Sequence, residues 1–228
     1  MKYKAVIFDL DGTLLNTLSD LADSANHVLS ELSLPTHDYE SYKYFVGNGI
    51  PKLIERCLPA DRQELHSKAL SMFSEYYALH SKDKTAPYDN IKELLGTLSE
   101  KGLKLGVITN KAHDIAVKVV EEYFGKDVFG CIRGLDDSIK AKPDPSGALS
   151  VMKVLGVTPS EVLYIGDSGV DMQTAKNAGF TPLGVLWGFR KKDELIENGA
   201  VVDAQALIDA GIIKNAYDGV KILSNGNL

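Results

Sequence analysis

Ala5-Val6-Ile7-Phe8-Asp9-Leu10-Asp11-Gly12-Thr13 is the stretch whose reading decides the fold. Four consecutive apolar residues, two of them β-branched, read as a strand buried on both faces, because a strand with one wet face would alternate. The run stops abruptly on two carboxylates two positions apart, followed by a glycine where the backbone can bend sharply. The same pattern returns twice: residues 103–108 run into Thr109-Asn110, and Val162-Leu163-Tyr164-Ile165 runs into Gly166-Asp167. A further apolar run occupies residues 183–186, and weaker ones residues 131–132 and 200–202. Helical stretches alternate with them over residues 89–101, 112–124, 143–155, 171–178 and 193–198. Strand–helix alternation predicts an α/β fold: a doubly wound parallel sheet, Rossmann-like, with helices on both faces.

Residues 16–83 interrupt that alternation and carry no convincing strand. Leu18, Leu21, Ala22, Ala25, Val28, Leu29 and Leu32 form a helical stripe, with Thr17 three residues before Asp20 as in a capping box. A second long helix is expected over residues 62–79, with breaks at Pro35, Gly47-Asn48-Gly49 and Pro59. The expectation is a 68-residue all-helical insertion after the first strand, the α/β core being residues 1–15 and 84–228.

Composition excludes several classes. Of 228 residues, 31 are acidic and 25 basic, for a formal net charge of −6, which disfavours a broad nucleic-acid surface. No apolar run approaches the ~20 residues of a membrane span, and the N-terminus lacks the apolar core of a signal peptide. Cys57 and Cys131 show no Cys-x-x-Cys spacing, so neither a zinc knuckle nor a disulfide framework is indicated. A cytoplasmic protein, monomeric or homodimeric, without nucleic-acid or membrane partners, is expected.

In open α/β sheets ligands bind outside the carboxyl ends of the strands. That edge is where the three main runs deliver Asp9 and Asp11, then Thr109 and Asn110, then Asp167 with Asp171 four residues on. Lys142 precedes Pro143-Asp144-Pro145, read as a helix start. Acids gathered this closely repel, and Mg²⁺ with oxygen ligands resolves the repulsion. With Asp9, Asp167 and Asp171 ionised and Asp11 holding a proton, the formal charges balance against one Mg²⁺ and Lys142, so a phosphate dianion could enter. One carboxylate can attack phosphorus while another protonates the leaving oxygen and later activates water.

These elements, in this order, resemble the haloacid dehalogenase superfamily, and within it the phosphoglycolate phosphatase group, nearly end to end. The resemblance implies Asp9 as nucleophile and Asp11 as acid/base, its backbone carbonyl also binding metal. It implies that Thr109 and Asn110 bind phosphate and that Lys142 holds the phosphoryl group and the nucleophile. Asp167 would bind Mg²⁺ directly, and Asp171 would support the site directly or through water. The insertion occupies the position of that family's small cap. Its Val46-Gly47-Asn48-Gly49-Ile50-Pro51 resembles the family's cap loop, so Gly47, Asn48 and Gly49 would meet substrate, with Lys52 and Arg56 near enough to attract a carboxylate. Two departures are Asn16, where relatives often have Asp, and Lys111 directly after the phosphate-binding pair.

The implied activity is Mg²⁺-dependent hydrolysis of a small phosphorylated metabolite, 2-phosphoglycolate first. Pyrophosphate, sugar phosphates and nucleotides are alternative substrates. A sugar phosphomutase would use the same nucleophile and acid/base. A phospho-acceptor signalling domain also gathers acids, Thr and Lys at a sheet edge, but is near half this length and places its acceptor on a middle strand. No role is assigned to the five histidines. Trp187 is expected to pack under a loop near the site mouth.

Overall fold

The computed structural model describes residues 2–201. They form two compact units, one comprising the chain up to Leu14 and from Pro87 onward, the other Leu15–Ala86. In the first unit, five parallel strands are β1 (Ala5–Phe8), β4 (Lys104–Ala112), β5 (Cys131–Leu135), β6 (Val162–Gly166) and β7 (Thr181–Gly184). Their order is β5-β4-β1-β6-β7, so the first strand is central and its neighbours carry the other two polar-ended runs. Between and after them come the helices α5 (Ile91–Glu100), α6 (His113–Phe124), α7 (Ser146–Leu155), α8 (Gly169–Ala178) and α9 (Lys192–Glu197).

Register fixes what meets at the carboxyl edge. Phe8 is level with Val107 on one side and Ile165 on the other. Asp9 therefore leaves the sheet beside Thr109-Asn110 of β4 and Asp167 at the end of β6, its N–H still bonded to the Ile165 carbonyl at 2.9 Å. Side chains alternate across the pleat. Ala5, Ile7, Ile108, Val162 and Tyr164 join Ala148 and Val151 of α7 and Ala175 of α8 in one core. On the opposite face Phe8 meets Phe129 edge-to-face, and Phe129 meets Phe124 at the end of α6. Each fully buried large apolar side chain contributes about 1.5–3 kcal/mol.

Several expected boundaries move for local reasons. The second strand runs beyond residue 108 to Ala112, with a register irregularity between Ile108 and Ala112 opposite β5. β7 starts at Thr181 and ends level with β6, Gly184 opposite Gly166, so residues 185–190 leave as a loop. Val201 makes only an isolated bridge to Leu183, and Val202 of the same run lies outside the described residues. α7 begins at Ser146, not at Pro143, in keeping with the rule that a residue directly before a proline, here Asp144 before Pro145, is disfavoured in the helical region.

The second unit contains α1 (Leu18–Glu31), α2 (Tyr39–Phe45), α3 (Ile50–Cys57) and α4 (His66–His80). Short strands at its two ends, β2 (Leu15–Asn16) and β3 (Ala86–Pro87), pair as a ribbon. α4 starts at His66 because residues 60–65 form a 3₁₀ stretch in which Arg62 is non-helical. The capping box expected at Thr17 does not form. Asp20 instead accepts the backbone N–H groups of Lys84 (2.9 Å) and Thr85 (2.8 Å), tying the end of the insertion to α1. The 46–49 loop turns through Gly47 and Gly49, both at positive φ. Arg56 braces it, donating to the carbonyls of Tyr44 and Phe45 and to Asn48 Oδ1. Lys52 pairs with Glu55 on the same helix at 2.5 Å.

Candidate active site

Asp9, at the end of β1, is buried, and its Oδ1 accepts from Lys142 Nζ at 2.7 Å. The same ammonium donates to Asp171 Oδ1 at 2.7 Å, so one lysine bridges two acids. Lys142 reaches this position because Asn110 holds its backbone from both sides. Asn110 Oδ1 accepts the Lys142 N–H (2.8 Å), and Asn110 Nδ2 donates to the Lys142 carbonyl (3.4 Å). The Thr109 hydroxyl oxygen accepts the N–H of Lys111 at 3.2 Å.

Asp171 performs a second task at the start of α8. Its Oδ2 accepts from the N–H (3.1 Å) and hydroxyl (2.5 Å) of Ser168, the N-cap of that helix. A first-turn acid completing a capping box is thus also the acceptor of Lys142. Asp167 takes Thr13 Oγ1 on one oxygen (3.2 Å) and the Phe189 N–H on the other (2.8 Å).

Glycine is required where the chain crowds Asp167. Gly12 sits at φ +93°, and a Cβ there would lie 2.4 Å from Asp167 Oδ2. A Cβ on Gly188 would fall 2.2 Å from Asp167 Cβ and 2.4 Å from the Gly12 carbonyl. No larger residue fits at either position without displacing the carboxylate.

Electrostatics follow from burial. Burial, reinforced by Asp171, raises the Asp9 carboxyl well above the ordinary carboxylate range despite the opposing pull of Lys142. Burial and then Asp171 push Asp167 up to about 7. For Lys142 burial acts downward, but Asp171 and Asp9 outweigh it and hold the ammonium well above its usual range.

The donor set fits a hard divalent cation. Asp9, Asp167 and Asp171 are all buried and offer oxygens within 4.8 Å of one another. Asp11 turns elsewhere: its oxygens lie 3.0 and 3.3 Å from Lys111 Nζ. Four carboxylates against the two ammonium groups leave two formal negative charges, which a divalent cation cancels. Lys111 thus adds a second ammonium to the one that Lys142 brings to the site.

Two participants, Tyr164 and Lys111, are given no role by the sequence alone. Tyr164, fully buried on β6, donates to Asp171 Oδ1 at 3.1 Å, its phenol kept neutral by burial. A hydroxyl inside an otherwise apolar run is the available signal, since a buried tyrosine needs a partner. Lys111 stands out in the sequence only as a departure from the family pattern. Trp187, expected near the site mouth, lies in a loop that meets the site: its Nε1 donates to the Thr13 carbonyl at 3.0 Å, and the Phe189 N–H reaches Asp167. Gly47, Asn48 and Gly49 belong to the second unit, where Asn48 is bonded to Arg56. Lys52 and Arg56, expected to attract a carboxylate, are engaged with Glu55 and with that loop.

Among the described residues no helix is long and apolar enough to cross a membrane. The model of the haloacid dehalogenase-like hydrolases matches residues 6–185. A second model, of ribosomal proteins 50S-L15 and 50S-L18e and their 60S counterpart, matches only residues 181–228. A phosphoglycolate phosphatase of Thiobacillus denitrificans is 34% identical over 215 residues, covering 92% of this chain and 95% of that protein. That of Chromobacterium violaceum is 36% identical over 191 residues, covering 82% and 86%. The crystal structure of a candidate phosphoglycolate phosphatase from Lactobacillus delbrueckii subsp. bulgaricus superposes with a TM-score of 0.85 at 32% identity, covering 94% of this chain and 100% of that one. The chain that gathers this buried acidic triad at the carboxyl edge of a doubly wound sheet is matched by relatives along nearly its whole length and belongs to the haloacid dehalogenase-like hydrolase family, as one of its phosphatases.

Proposed function

We propose that the chain is a Mg²⁺-dependent phosphomonoester hydrolase that works through an aspartyl-phosphate on Asp9, with 2-phosphoglycolate as substrate. The observation that carries this reading is the buried Asp9 carboxylate, oriented through Oδ1 by Lys142 within an acidic triad. With Oδ1 occupied, attack on phosphorus falls to Oδ2. The P–O bond to the leaving group breaks as the Asp9–phosphorus bond forms, and Asp11 delivers a proton to the departing oxygen. Asp11 then takes a proton from water as it attacks phosphorus, which frees phosphate and restores Asp9. Lys142 and Thr109 hold the phosphoryl oxygens, and Asn110 serves by fixing Lys142. Asp9, Asp167 and the Asp11 carbonyl, with Asp171 in support, would hold Mg²⁺, which would supply the positive charge that lets a dianion approach these acids.

The relatives' name, phosphoglycolate phosphatase, supports 2-phosphoglycolate as the substrate. Residues 16–83 are read as the family's helical insertion. Contact of Gly47, Asn48 and Gly49 with substrate rests on the resemblance of their loop. The test is phosphate release from 2-phosphoglycolate, pyrophosphate, a sugar phosphate and a nucleotide, with and without Mg²⁺, by the native chain and Asp9→Asn. Metal-dependent release with 2-phosphoglycolate preferred, abolished in D9N, is expected. Native-level turnover by D9N would overturn the mechanism, and preference for another member of the panel would overturn the substrate.

A further inference from the structure

Lys111 lies beside Asp11, the acid of the proposed mechanism. Its side chain is only 6% exposed, while that of Asp11, its partner, is 20% exposed. The backbone places it firmly. Its N–H donates to Thr109 Oγ1, and its carbonyl lies so close to Gly134 of β5 that a Cβ there would approach it to 2.5 Å. The ammonium faces both Asp11 oxygens, at 3.0 and 3.3 Å.

The position follows from the chemistry of the leaving group. A general acid lies roughly 2.6–3.2 Å from the oxygen it protonates. In a 2-phosphorylated carboxylic acid, the carboxylate is attached to the carbon that bears this oxygen, so its own oxygens lie about 3 Å farther on. A cation already within hydrogen-bond range of the acid can therefore reach that carboxylate where these legs fold back on one another. An ammonium has three donors, and Lys142 shows in the same site that one lysine can serve two carboxylates. We propose that Lys111 is the specificity-determining residue for the leaving group: it bridges Asp11 and a carboxylate on the carbon next to the scissile oxygen, so the site selects phosphorylated 2-hydroxy acids over uncharged alkyl phosphates. This rests on the phosphatase reading of the site and extends it from the phosphate to the other end of the substrate.

The test compares 2-phosphoglycolate with ethyl phosphate, which share an alkyl leaving oxygen and differ in the carboxylate. The readout is the quotient of their kcat/KM values in the native chain, Lys111→Met and Lys111→Arg. Loss of one charge-assisted contact lowers the quotient about 10- to 100-fold in K111M, with partial recovery in K111R. If K111M does not fold, Lys111→Gln removes the charge while keeping a polar group, with the same quotient expected. A quotient unchanged within about twofold in the neutral variant, both substrates losing rate together, would overturn the proposal: Lys111 would then act on Asp11 alone. A native chain that hydrolyses both esters equally well would overturn the substrate assignment as well, and D9N separately reports on the phosphatase mechanism.

Discussion

Replacing Gly12 by alanine tests whether the site depends on close packing against Asp167. Two costs add. The first is conformational, since φ is +93° and a side chain there costs about 1–3 kcal/mol. The second is steric, since the new Cβ lies 2.4, 2.7 and 2.8 Å from Oδ2, Cγ and Oδ1 of Asp167. That carboxylate has no easy retreat: Thr13 and the Phe189 N–H hold its two oxygens, and Gly188 backs onto its Cβ. Overpacking of this kind costs about 1–3 kcal/mol. The sum is about 2–6 kcal/mol, and at ~2–4 °C per kcal/mol for a chain of this size the Tm falls by about 4–24 °C. Gly102 supplies the control, because its φ is +76° but nothing lies within 4 Å of its Cβ position. Gly102→Ala should show the conformational cost alone. Thermal unfolding of both variants, with and without Mg²⁺, reads the two costs separately. The G12A variant should also lose most of the stabilisation that Mg²⁺ gives, because Asp167 is displaced. If G12A and G102A lose equal stability and keep the same Mg²⁺ response, the packing argument is wrong.

Lys142→Met should lower kcat with every phosphate ester by at least ~10²-fold, the order lost with a single charge-stabilising donor; steady-state kinetics on the folded variant decides it. Tyr164→Phe removes one bond to Asp171 while Lys142 remains. A loss of about 0.5–1.5 kcal/mol in stability, with kcat lowered more than KM is raised, is expected; an unaltered kcat would show that the phenol only packs. Glu161 ties the turn before β6 to Lys4, and bonds from Lys4 and Thr158 lower its carboxyl to about 2 from 4.5. Because the folded value is the lower one, its contribution is present above the unfolded pKa and fades as pH falls from about 4.5 through about 2. The Tm difference between the native chain and Glu161→Gln should therefore be constant near neutrality and vanish in that acid window, and a difference that persists at the acid end would refute the assignment.

Much of the catalytic unit is legible in the sequence because its signals are local. An apolar run that ends on Asp9, or on Gly166-Asp167, marks a buried strand and its carboxyl edge within one short window. What the window cannot hold is the partner of a side chain. Thr17 resembles a cap because Asp20 stands three residues on, but Asp20 is claimed by N–H groups 64 and 65 positions away. Arg56 and Lys52 read as available to a ligand, yet neighbouring carbonyls and Glu55 take them up. Lys111 reaches across 100 positions to Asp11, and Trp187 across 174 to Thr13. Such contacts are properties of the closed sheet. Asp9, Lys142, Asp167 and Asp171 lie together at the sheet edge, and Asn110 is bonded to the Lys142 backbone, a partner 32 positions away that residue type alone could not name.

The indole of Trp187 has a practical consequence. It is the chain's single tryptophan, and its ring N–H rests on the Thr13 carbonyl, between the loop that carries Asp11 and the loop that touches Asp167. Its emission is therefore an intrinsic optical reporter of that pocket, free of background from other indoles. Rapid mixing of unlabelled protein with metal or phosphate would time each arrival at the carboxylates directly, in the native chain and without a dye.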